Sequence, residues 1–215
     1  MNIWQQYYKQ HNLWKEPHEY GMCQVNDQHK LFYVLIPKNA STFFRDNTSN
    51  LGFRDGNYHS ENLVSQGYTP IITLRDPVER WCSGMTEYIS RRLGGKWSPL
   101  LKNEQANRFL FSRVAFDEHT ESQHMYIHGL EKSMVLRFDD ELSRNLAGLL
   151  RANGIENELD KLPTRYASSG NKLDCKNFLM DMLRDDITKM NRIKSYYRLD
   201  IGMYNHVKYY IRGVE

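Results

Sequence analysis

The residues best suited to chemistry are Pro37, Lys38, Asn39, Ala40, Ser41, Thr42 and Phe43, followed downstream by Arg75 and Ser83. An apolar, β-branched and aromatic run beginning at Leu31 stops at Pro37, gives way to a short polar loop, and a helical pattern follows. A strand, a tight loop and a helix N-terminus make an anion site, because free backbone N–H groups converge there and the helix dipole favours negative charge. A lysine and two hydroxyls at the same place point to a phosphate or sulfate ester, and hence to group transfer. Lys38 is a compact charge with rotatable donors, suited to follow a leaving oxygen as negative charge builds on it. Arg75 offers a planar, permanently charged fork suited to a terminal phosphate. Ser83 lies eight residues beyond Arg75, about two helical turns, so its hydroxyl can face the same cavity only if a helix starts near Asp76.

The elements that must position these groups follow from periodicity. Leu31–Ile36 reads as a buried strand, Thr42–Leu51 as a helix, and Pro70–Leu74 as a second buried strand. Asp76 is placed to cap the next helix, with Pro77 at its first position, Glu79 in its first turn, and an end near Arg92. Gly94–Pro99 reads as a loop, 103–114 and 121–128 as helical, and Ser133–Phe138 as a third strand. Asp139–Asn153 is a helix closed by Gly154. Pro163–Leu173 is a loop rich in Ser, Gly and Asn, and the apolar positions from Phe178 to Tyr197 mark one face of a long helix. A last helix is expected over Asp200–Ile211, and residues 1–30 are expected to form an N-terminal extension packed on a single domain. Short strands separated by helices predict an α/β fold with a mainly parallel central sheet. Its ligand site would lie at the carboxyl ends of the strands, where Lys38 and Arg75 both fall.

Composition sets the outer bounds. At 215 residues, with 40% hydrophobic and 26% charged residues, the chain is globular and large enough to bury a core. A formal net charge of +3 gives no reason to invoke nucleic acid. Cys23, Cys82 and Cys175 are odd in number, far apart and without CxxC spacing, which argues against a disulfide framework and for a reducing compartment. The N-terminus lacks the apolar core of a signal peptide and no run approaches a membrane span, so a cytoplasmic protein with no membrane partner is expected.

The first loop is not a Walker A sequence, since the glycines of GxxxxGK[ST] are absent. Taken in order, Pro37-Lys-Asn-Ala-Ser-Thr-Phe43 and Leu74-Arg-Asp-Pro-Val-Glu-Arg-Trp-Cys-Ser-Gly84 resemble the two cosubstrate signatures of sulfotransferases that use 3′-phosphoadenosine 5′-phosphosulfate (PAPS). Carbohydrate sulfotransferases of the Golgi type are the nearest likeness. Weaker likeness extends through Asp117–Gln123, Val135–Asp140 and Tyr196–Asp200. The resemblance implies a P-loop nucleotide-kinase-like three-layer fold. It assigns Pro37 to Phe43, with Lys38, Ser41 and Thr42 foremost, to the 5′-phosphosulfate, and Arg75 with Ser83 to the 3′-phosphate. It also implies adenosine 3′,5′-bisphosphate as product, no metal, and a hydroxyl of a saccharide or other small molecule as acceptor.

A proton acceptor is needed as well, and His or Glu are the usual choices. His59 resembles the family's catalytic histidine by position, with Glu61 and His119 as alternatives. Gln123 is a candidate pocket residue, and Arg80 reads as structural. The loop Tyr166–Lys172 has the composition of a lid, which makes Lys172 and Ser169 candidate phosphate contacts. His119, His124 and His128 lack a firm metal-ligand spacing.

Overall fold

The computed structural model describes residues 21–92, 97–127, 129–130, 132–163 and 170–210. Its strands are β1 (Met22–Asn26), β2 (Leu31–Val34), β3 (Arg54–Asn57), β4 (Thr69–Leu74) and β5 (Met134–Arg137). Its helices are α1 (Ser41–Thr48), α2 (Pro77–Arg92), α3 (Trp97–Lys102), α4 (Glu104–Arg113), α5 (His124–Ile127), α6 (Leu142–Ala152), α7 (Asn171–Asp185), α8 (Ile187–Tyr196) and α9 (Arg198–Tyr210). The contacts divide the described chain into two compact units. Among the described residues, a sheet unit draws on 21–36, 40–73 and those from 125 to 163; a helical unit draws on 37–39, those from 74 to 124, and 170–210.

The sheet has five strands in the order β3-β1-β2-β4-β5. The fold is therefore α/β, but the sheet is mixed, not mainly parallel. β1 runs antiparallel to both β2 and β3, while β2 and β4 pair in parallel with Leu31 opposite Thr69 and Tyr33 opposite Ile71. The reason is local: the four-residue turn 27–30 between β1 and β2, with Lys30 at φ 53°, is long enough only for a hairpin reversal. Residues 22–26, expected in an N-terminal extension, thus form an interior strand; residues 1–20 lie outside the described residues. β1 and β3 carry little hydrophobic pattern. Buried Gln24 and Asn26 are tolerated because Gln24 donates to Asp55 and the Asn26 amide donates to the Leu51 carbonyl at 2.9 Å.

In the sheet unit the ring of Tyr33 stacks on Phe44 of α1 at 3.8 Å, and its hydroxyl donates to Thr73 at 2.8 Å. Leu142, Leu146 and Leu150, one helical turn apart, supply the buried face of α6. Gly154 follows with φ 79°, the left-handed conformation that ends a helix without a Cβ penalty.

In the helical unit, Trp81, Met85 and Ile89 of α2 share a core with Leu179, Leu183, Ile193 and Tyr197. The long helix expected between Phe178 and Tyr197 is two helices. Asp186 adopts an extended conformation and its carboxylate caps α8, accepting from the N–H groups of Thr188 at 3.0 Å and Lys189 at 3.1 Å. The expected loop Gly94–Pro99 gives way to α3 at Trp97, whose ring packs on Phe178 at 5.3 Å. The helix expected over 121–128 is confined to the single turn of α5, because the segment before it is tied down by side-chain hydrogen bonds described below. Among the described residues no helix is long and apolar enough to cross a membrane.

Candidate anion site

The loop after β2 is held in an unusual backbone conformation. Lys38 (φ 69°) and Ala40 (φ 63°) are both left-handed, which costs a non-glycine residue about 1 kcal/mol or more. Three side chains of the helical unit fix its consecutive residues. Arg80 Nε donates to the Pro37 carbonyl at 3.1 Å, Arg75 Nη1 donates to the Lys38 carbonyl at 3.2 Å, and the Asn39 side-chain amide donates to Gln123 Oε1. Arg80 is almost fully buried and also donates to the carbonyls of Glu118 (3.4 Å) and Glu121, which makes it a structural clamp. Arg75 and Lys38, predicted to share a ligand, are thus in direct contact.

Asp76 starts α2 as expected, accepting from the N–H groups of Val78 at 3.0 Å and Glu79 at 2.9 Å. Its capping sets the helical phase, and Arg75, Glu79, Ser83, Glu87 and Arg91 follow at intervals of four, a row of successive neighbours that starts just before α2 and winds slowly around it. Arg75 Nη2 pairs with Glu79 Oε2 at 3.5 Å. Two turns on, Glu87 Oε2 accepts from Lys38 Nζ and from Lys172 Nζ, each at 3.1 Å, while its Oε1 accepts from Arg91. Half-buried Ser83 lies between these two charged groups.

Burial alone would raise the Glu87 carboxyl, but hydrogen bonds from Arg91 and Lys172 and the charge of Lys38 pull it down to about 2. Lys38 shows the reverse balance. Burial, with Lys172 and Arg91 as lesser contributors, lowers its pKa against the opposing pull of Glu87. Three cations thus share the Glu87 carboxylate beside the strained loop.

A second network holds Arg75 from behind. Gln123 is fully buried; its Oε1 accepts from the Arg75 N–H and its Nε2 donates to the Arg75 carbonyl, both at 3.0 Å. Gln123 is itself fixed by Asp200, likewise fully buried, whose carboxylate accepts from Gln123 N at 2.7 Å, Ser122 Oγ at 2.6 Å and His124 N at 3.1 Å. Burial works against the Asp200 charge, and these bonds, with His124, lower its pKa nonetheless. Gly84 completes the packing: a Cβ there would lie 2.2 Å from the His119 carbonyl oxygen.

The remaining predicted residues divide by unit. Ser41, Thr42 and Phe43 belong to the sheet unit. Ala40, not Ser41 or Thr42, is the N-cap of α1, and no side chain caps it. The Phe43 side chain is buried in the sheet core. His59 is also in the sheet unit, exposed in the turn after β3, with its ring 4.2 Å from that of Tyr58. Both oxygens of Glu61 are engaged, one by the Asn57 N–H at 2.9 Å and the other by Arg54 at 3.1 Å. His119 is in the helical unit, and its Nδ1 is 3.2 Å from Asp117 Oδ2.

Lys172, expected in a loop, sits in the first turn of α7; Ser169 and His128 lie outside the described residues. Asp117, Glu118 and His119 bring ligand-type atoms within 4.8 Å of one another. Asp117 spends its oxygens on the N–H groups of His119 (3.0 Å) and Thr120 (3.2 Å) and on the His119 ring, the pattern of a hydrogen-bonded turn. The three cysteines are free and buried, and burial pushes the Cys23 thiol up to about 12.

Sequence reasoning missed Glu87 and Arg91 altogether. The signal was present in the four-residue spacing from Arg75 onward. Comparison of the chain with family models, with curated proteins and with solved structures finds no match.

Proposed function

We propose that the chain is a PAPS-dependent sulfotransferase that moves the sulfuryl group to a hydroxyl of an acceptor, a carbohydrate being the acceptor class the motif resemblance favours. The observation that carries this reading is the junction of the two signature loops. They follow the adjacent parallel strands β2 and β4, and the Arg75 guanidinium binds the Lys38 carbonyl at 3.2 Å. In this reading Arg75, just before α2, and Ser83 on it face one end of the ligand, and the Lys38–Lys172 pair faces the other. A molecule with phosphate at two ends suits that layout, and ATP does not have one. The finer fold assignment, a P-loop nucleotide-kinase-like three-layer architecture, belongs to the same proposal and rests on the strand–loop–helix units at β2–α1 and β4–α2.

In the transfer, an acceptor oxygen attacks sulfur, the new O–S bond forms, and the bond from sulfur to the 5′-phosphate oxygen breaks. The electron pair stays on that oxygen, where Lys38 stabilises it. The acceptor's proton goes to a histidine. His59 is the choice by position in the chain. His119 is a second reading, favoured by the Asp117 carboxylate on its Nδ1, which leaves Nε2 as the acceptor. Positioning and charge supply most of the catalysis, as in phosphoryl transfer.

Two rivals remain, a kinase using ATP and a non-catalytic nucleotide- or glycan-binding module. Calorimetric titration separates them from the proposal. Sub-millimolar binding of adenosine 3′,5′-bisphosphate in the absence of magnesium supports the sulfotransferase. Magnesium-dependent ATP binding in its place supports the kinase. Release of adenosine 3′,5′-bisphosphate from PAPS with an acceptor panel, abolished in Lys38→Ala, excludes the binding module.

A further inference from the structure

We propose that Glu87 is the positioning residue of the transfer site: one of its oxygens holds Lys38 and Lys172 together, so that both ammonium groups face the same anion. The inference rests on the sulfotransferase reading for its chemistry but on geometry for its substance. Both ammonium nitrogens are 3.1 Å from the same oxygen of Glu87, and the other oxygen is taken by Arg91. Without a shared carboxylate, two lysines drawn to one point would repel each other, and the more buried one would release its proton first.

The charged groups acting directly on Lys38 come from two elements. Glu87 and Arg91 come from α2, and Lys172 from α7. Asp117 and Glu118, in the turn after α4, act on Arg91. Among the leading influences on Lys38, Glu87 favours its charged form, whereas burial, Lys172 and Arg91 oppose it. A neutral Lys38 has no charge to offer the departing phosphate oxygen, so turnover depends on this carboxylate although it takes no proton itself. Its engagement by three cations makes it a poor base, which separates this role from general-base catalysis.

The test is a titration of Lys38 in the intact protein, without nucleotide. It follows the 13Cε resonance of labelled lysine, assigned by its loss in Lys38→Arg. In Glu87→Gln the Lys38 midpoint should fall by about 1–3 pH units, and the alkaline limb of kcat should move with it. Glu87→Asp should recover part of the shift. Lys172→Met should move the midpoint the opposite way, upward, and this arm holds whether or not Glu87→Gln folds. An unchanged midpoint in a folded Glu87→Gln protein, or no rise in Lys172→Met, overturns the proposal. Because the titration needs no cosubstrate, failure to bind adenosine 3′,5′-bisphosphate would overturn the functional reading and leave this result standing.

Discussion

Replacing Gln123 tests whether the anion site is held from behind as its hydrogen bonds indicate. The side chain is fully buried and serves three groups: the Arg75 N–H, the Arg75 carbonyl and the Asn39 side-chain amide. Gln123→Ala strands all three, at about 1–3 kcal/mol each. Water entering the space recovers part of this, so we expect a net loss of about 3–5 kcal/mol, a large share of the roughly 5–15 kcal/mol that holds a typical domain. Gln123→Glu separates the contributions. A carboxylate still accepts from Arg75 N–H and Asn39 but cannot donate to the Arg75 carbonyl, so it should cost about 1–3 kcal/mol. Protonating the buried carboxyl restores that donor, so the deficit should shrink between about pH 8 and about pH 5. Urea unfolding reads these differences as shifts in midpoint at unchanged slope. Titration with adenosine 3′,5′-bisphosphate should show weakened binding in step with them. A Gln123→Ala protein within about 0.5 kcal/mol of wild type, with unaltered nucleotide affinity, would refute the reasoning.

Three further outcomes follow from the same geometry. Gly84→Ala sets a Cβ 2.2 Å from a backbone oxygen that has no flexible end to yield; thermal unfolding should record a loss of about 1–3 kcal/mol. Acid should weaken the protein in a defined window. Hydrogen bonds from Arg91 and Lys172 and the charge of Lys38, acting against burial, hold Glu87 at about 2 in place of 4.5. The stability it contributes is therefore complete above 4.5 and lost as pH falls toward 2, and Glu87→Gln should flatten that part of the stability–pH curve. Turnover identifies the proton acceptor: His59→Ala should lower kcat by about 10²–10⁴-fold with nucleotide affinity intact, and full activity in that variant moves the role to His119.

What the sequence made legible was whatever rests on local chemistry. The strand ending before Pro37 and the Asp76 cap with Pro77 at the helix start are written in neighbouring residues, and they appear where expected. β1 and β3 were illegible because their pairing is tertiary. Met22-Cys-Gln-Val-Asn26 and Arg54-Asp-Gly-Asn57 lack alternation, and their polar side chains are satisfied only by partners distant in sequence. The break at Asp186 was hidden for a different reason. The apolar spacing runs on through it, while the capping aspartate competes locally and wins. At the site, cations were easier to find than the carboxylate that organises them. An acidic residue on a helix reads as a solvated face until Lys38 and Lys172, far away in sequence, are seen to converge on it.

The proposed function requires a ligand bound at both ends, with Arg75 reserved for the phosphate that ATP lacks. The most direct measurement compares the affinity of the protein for adenosine 3′,5′-bisphosphate and for adenosine 5′-monophosphate, without magnesium, in wild type and Arg75→Ala. We expect the bisphosphate to bind wild type at least about tenfold more tightly, a preference worth about 1.4 kcal/mol, and the preference to vanish in Arg75→Ala. Equal affinity for the two nucleotides in wild type, or a preference that survives loss of Arg75, would contradict it.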